Sequence, residues 1–84
     1  MDVETIKARV DEIARSSDAA PFIDRIDVEE AMDEFDAPFL RVKIRVKPIK
    51  KNIDVVLNRF IREVEDSVAE VDERYPSVRF LDAA

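Results

Sequence analysis

The chain contains no glycine, no cysteine, no histidine and no tryptophan, and most of these absences remove a class of chemistry. Without glycine there is no glycine-rich loop whose bare backbone approaches a phosphate. Without cysteine there is neither a thiolate nucleophile nor a disulfide. Without histidine the commonest acid–base group at neutral pH is missing, and the loss of both residue types removes the usual ligands of zinc. No apolar run approaches the roughly 18 residues of a membrane span, and the first residues (Met1, Asp2, Val3, Glu4, Thr5, Ile6, Lys7) lack the uninterrupted apolar segment of a secretory signal. These absences lead to the expectation of a soluble, cytoplasmic protein that is not an enzyme and carries no cofactor and no metal.

What remains is charge and periodicity. Over 84 residues, 40% are charged and 46% hydrophobic, with a net charge of −6. That length fits a single domain over residues 1–84, and the apolar residues recur in patterns that a disordered chain lacks. Val3, Ile6, Val10 and Ile13 follow a helical spacing behind an Asp2 cap, predicting a first helix over about residues 3–16 with Lys7–Asp11 and Asp11–Arg15 pairs. Leu40, Val42, Ile44 and Val46 alternate strictly with Arg41, Lys43, Arg45 and Lys47, which predicts a strand ended by Pro48. Ile53, Val56, Leu57, Phe60, Ile61, Val64, Val68 and Val71 form the stripe of a second helix, capped by Asn52 and stopped near Tyr75 by Pro76. Val78, Arg79, Phe80 and Leu81 read as a short last strand.

Residues 27–35 fit two patterns. Ile26 and Val28 alternate with Asp27 and Glu29 as in a strand, whereas Val28, Ala31, Met32 and Phe35 also fit a helical face. The strand is favoured, because a hairpin about Asp36 sets Asp27 opposite Arg45 and Glu29 opposite Lys43. The expected fold is then α+β: a two-layer sandwich of order α-β-β-α-β, with a three-stranded mixed sheet, the second strand central, and two helices on one face.

Charge is divided sharply within the hairpin. Residues 24–36 hold seven acids and Arg25, a net of −6, whereas residues 37–53 hold six bases and no acid, a net of +6. One reading takes Arg41, Lys43, Arg45, Lys47, Lys50 and Lys51 as a nucleic-acid track. The other, favoured because the whole chain is acidic and no aromatics interleave with these bases, has the two strands neutralise one another. The acids Asp33, Glu34 and Asp36 near the tip do not have the spacing of a calcium loop and are read as a solvated turn. Phe35 and Phe39 flank that tip, either folded over the core or exposed as anchors for a protein. Glu70, Asp72 and Glu73 sit where a helix dipole prefers cations, so that replacing them by Lys or Gln is expected to raise stability slightly; they also offer an acidic patch to a basic partner.

The element order is similar to that of the cytoplasmic C-terminal domain of cation diffusion facilitator transporters and to that of a small iron–sulfur assembly domain. The first family places histidines among its metal ligands and the second a functional cysteine, neither of which occurs here, so the resemblance stops at topology. Type II KH domains have a related order, but their phosphate clamp requires glycines. The expected function is a non-catalytic protein–protein interaction module, an adaptor, subunit or neutralising partner, acting as a monomer or weak homodimer. Nucleic-acid binding through the basic strand is the alternative.

Overall fold

The structure, a computed structural model, describes residues 1–48 and 52–82. Helix α1 (Val3–Arg15) starts where expected: the Asp2 side chain accepts a hydrogen bond from the Thr5 N–H at 2.8 Å, satisfying one orphan donor of the first turn. Lys7 and Asp11 pair at 2.7 Å, but Arg15 turns to Glu12, one residue nearer than the expected Asp11. Both are neighbours on a helix surface, so nothing in the backbone changes. A single 3-10 turn, Ala20–Phe22, follows and contains Pro21 at its start.

Residues 23–32 are strand, as the favoured reading has it. Strands β1 (Ile23–Met32), β2 (Pro38–Val46) and β3 (Tyr75–Asp82) form one sheet in the order β1-β2-β3, with β1 antiparallel and β3 parallel to β2. The hairpin register differs from the expected one by two residues: Asp27 lies opposite Lys43, Glu29 opposite Arg41 and Arg25 opposite Arg45. Asp33 causes the difference. Its Oδ1 accepts from the Phe35 and Ala37 N–H groups, at 2.8 and 2.9 Å, which ends β1 at Met32 and centres the loop on Phe35 instead of Asp36. A shift of two keeps every side chain on its face, so the apolar pattern tolerates it. Asp36 takes the left-handed conformation (φ 59°) that glycine would normally supply. Asp33→Ala removes both side-chain bonds and is expected to cost about 1–2 kcal/mol in a urea melt, with no change in helix content by circular dichroism.

Helix α2 (Asp54–Val71) starts one residue after Ile53, the first of its apolar stripe, and ends on Val71, the last, short of the expected stop near Tyr75; β3 is longer than expected. Asn52 does accept the Asp54 N–H at 2.9 Å, but from one residue outside the Ile53 cap position. At the far end Asp72 leaves the helix with φ −144° and ψ 144°, because its side chain accepts the Arg74 N–H at 2.9 Å in a local turn. Pro76 therefore acts on a chain that has already left the helix.

The core is one cluster. It joins Ile6, Val10 and Ala14 of α1, Phe60, Val64 and Val68 of α2, Leu40, Val42 and Ile44 of β2, Ile26 of β1, and Ala19. Helix α1 lies against β1, α2 against β3, and the helices touch each other. Arg9 ties them on the outside, donating to Ser67 Oγ at 2.7 Å. Among the described residues no helix is long and apolar enough to cross a membrane.

Candidate functional site

Side chains alternate across a strand, so the register assigns each residue to a face. The even-numbered side chains of β2 enter the core, and its odd-numbered ones do not. Reading across the sheet, the odd-numbered or outer face carries four rows: Ala31, Phe39 and Tyr75; Glu29, Arg41 and Ser77; Asp27, Lys43 and Arg79; Arg25, Arg45 and Leu81. None of these residues is buried.

The charges on this face do not cancel. Arg25, Arg41, Lys43, Arg45 and Arg79 stand against Asp27 and Glu29, a net of +3 on a chain whose total is −6. Only two of the seven acids of residues 24–36 reach the basic row. Asp24 is taken up by the irregularity between Ile23 and Arg25, Glu30 points to the other side, and Asp33, Glu34 and Asp36 lie in the loop. Glu29 Oε1 meets both Arg41 Nη1 and Lys43 Nζ at 3.1 Å, and the Lys43 hydrogen bond, followed by that of Arg41, holds its carboxyl below the ordinary value. Asp27 pairs with Arg25 of its own strand at 3.0 Å. Among the described residues Arg45, Lys47 and Arg79 have no ion pair. Lys50 and Lys51 of the basic track lie outside the described residues.

Apolar side chains collect at the hairpin end. Phe35 is 83% exposed, Tyr75 67% and Met32 57%, while Phe39 is half-buried with the Arg41 guanidinium 5.5 Å from its ring centre. Asp33, Ala37, Pro38, Phe39, Glu73, Tyr75 and Ser77 enclose a shallow recess of about 480 Å³ there. Phe39 and Glu73, 34 positions apart in sequence, thus share one concavity. Tyr75, Met32 and Arg79 escaped the sequence reading. For Tyr75 and Arg79 the alternation Tyr75, Ser77, Arg79, Leu81 was the available signal, hidden by assigning Tyr75 to the helix end.

The acids at the end of α2 separate in space. Glu70 is well exposed and approaches Arg9 at 3.7 Å. Glu73 is exposed at the recess. The Asp72 side chain is 5% exposed and grips Arg74 in a two-pronged pair, Nε to Oδ1 at 2.9 Å and Nη2 to Oδ2 at 2.7 Å. Arg74 also donates to Glu30 Oε2 at 2.5 Å and to the Met1 carbonyl, and the N-terminal ammonium stands 3.5 Å from Asp72. These hydrogen bonds from Arg74 hold the Asp72 carboxyl far below its ordinary value. Asp72 is therefore an internal clasp between the chain start, β1 and the α2–β3 turn, and its replacement is expected to lower stability, the reverse of what the dipole alone implies.

Comparison with protein-family models, with curated proteins and with solved structures finds no match to this chain, so its functional reading rests on these residues alone.

Proposed function

We propose that the chain is a non-catalytic, cytoplasmic protein-binding module, a small subunit or adaptor acting as a monomer or weak homodimer, which engages its partner through the hairpin end of the sheet. One observation carries the reading: Phe35 and Tyr75 are both exposed at that end, and Tyr75 lines a recess together with Phe39. Exposed aromatics gathered at one place are the residue types that dominate binding energies between proteins, and they leave water at little cost in side-chain entropy. The reading takes both helices as covering the even-numbered side of the sheet, which leaves the outer face free. The test is capture from the native host with the tagged chain. A single stoichiometric protein should be retained, and a Phe35→Ser/Tyr75→Ser variant should lose it at least about tenfold, whereas Val55→Ser, on the exposed side of α2, should keep it. Retention indifferent to the aromatic pair would reject this surface.

Nucleic acid is the second reading, favoured by the placement of Tyr75 and Phe39 on the same face as Arg41, Lys43 and Arg45. Against it stand the net charge of −6 and the acids Asp33 and Glu73 at the very recess where a base would stack. Steep salt-dependent binding of single-stranded oligonucleotides, lost with Tyr75→Ser, would establish it in place of the first.

A further inference from the structure

The outer face breaks a rule of sheet construction twice. Arg25 lies directly opposite Arg45, and Lys43 directly opposite Arg79. Like charges in directly opposed positions destabilise a sheet, yet the chain carries 20 acids that could have served as partners. Arg25 and Lys43 each find a carboxylate, Asp27 and Glu29, but Arg45 and Arg79 find none among the described residues. The two lie on adjacent strands in neighbouring rows, two residues or roughly 7 Å apart along the strand direction. A local conflict without internal compensation marks a site whose compensation comes from outside.

We infer that Lys43, Arg45 and Arg79 form a docking site for carboxylates, and that the segment of the partner that crosses the outer face is acidic. This inference rests on the protein-binding reading and specifies its partner. Charge complementarity selects the occupant. Arginine forks hold carboxylates in paired hydrogen bonds, and a stretch of a few acidic residues stays within the two basic rows. A long phosphate chain continuing toward the aromatic end would meet Asp33 and Glu73, which line the recess there.

The test is an NMR titration of the isotope-labelled chain with an oligoglutamate peptide of about four residues, at about 20 mM and about 150 mM salt. Saturable shifts should appear at residues 43–45 and 77–81 and weaken at the higher salt. In an Arg45→Gln/Arg79→Gln variant the affinity should fall at least about tenfold, while Arg62→Gln on exposed α2 should leave it unchanged. The double variant should melt no lower than the wild type, because it removes like-charge neighbours. Absence of saturable shifts at low salt, tighter binding of a single-stranded oligonucleotide to the same residues, or a marked fall in Tm of the double variant would each overturn the inference. Oligoglutamate binding that fails while partner capture still needs Phe35 and Tyr75 rejects the acidic segment alone. The opposite pattern rejects the aromatic surface alone.

Discussion

Phe60→Ala is expected to remove about 3–5 kcal/mol of stability, against a total of about 4–13 kcal/mol for a chain of this length. Phe60 is fully buried midway along α2 and belongs to the same cluster as Ile6 and Val10 of α1 and Leu40, Val42 and Ile44 of β2. Truncation leaves a void in that cluster, which close-packed side chains fill only in part. There is no disulfide to hold the chain, and the fully buried side chains among the described residues are apolar, so packing supplies most of the margin. A urea melt should show a midpoint moved sharply down or a baseline already sloping at zero denaturant. Val55→Ala on the same helix, 72% exposed, should change stability by no more than about 0.5 kcal/mol.

Asp72→Ala should cost about 2–3 kcal/mol, less than a fully buried ion pair because Arg74 and the chain start still reach water. For a domain this small that corresponds to a fall in Tm of about 10–20 °C. The loss has two parts. Arg74, only 15% exposed, is left with Glu30 and the Met1 carbonyl. The turn from α2 into β3 loses the side-chain acceptor of the Arg74 N–H, which sets where the helix ends. The pH dependence follows from the sign of the shift. Because the folded carboxyl lies below its ordinary value of 3.8, the unfolded chain takes up the proton first as the pH falls. The stabilisation is therefore complete at neutral pH and declines from about pH 5 downward. Glu29, held low by Lys43 and Arg41, acts in the same direction. Thermal melts between about pH 7 and pH 3 should fall steeply for the wild type and less steeply for Asp72→Ala. Equal slopes would mean that Asp72 is not the clasp.

Much of the fold is legible in the residues, for a physical reason. Apolar spacing of period two in β2 and near 3.6 in both helices is set by burial, and burial is also what determines element type. Strand β1 was legible only through its neighbour, since residues 27–35 carry both periods and pairing with β2 decides between them. Boundaries were less legible wherever a polar side chain acted on nearby backbone. Asp33 moved the hairpin register by capturing two N–H groups, and Asp72 shortened α2 while freeing Tyr75 and Pro76 for β3. Such short-range competition leaves no periodic trace.

The candidate surface was half legible. Phe35, Phe39 and Glu73 were identifiable as residues in unusual company, but their common recess depends on β3 lying parallel to β2 with Phe39 beside Tyr75. Charge was misleading in one respect. A balance of −6 and +6 along the hairpin looks self-cancelling in sequence, yet alternation sends Glu30 to the opposite face and the loop keeps three acids at the tip. The outer face is left with +3. Arg79, invisible as part of the basic track, belongs to it through the parallel register.

The outer face, from the Phe39–Tyr75 row to Arg79, is the surface proposed to meet another protein. NMR cross-saturation from the bound, captured partner measures this directly. Signal loss should concentrate on residues 35–45 and 75–81, with α2 residues Val55, Arg59 and Arg62 unaffected. Loss concentrated on those helix residues, with the sheet signals intact, would contradict it.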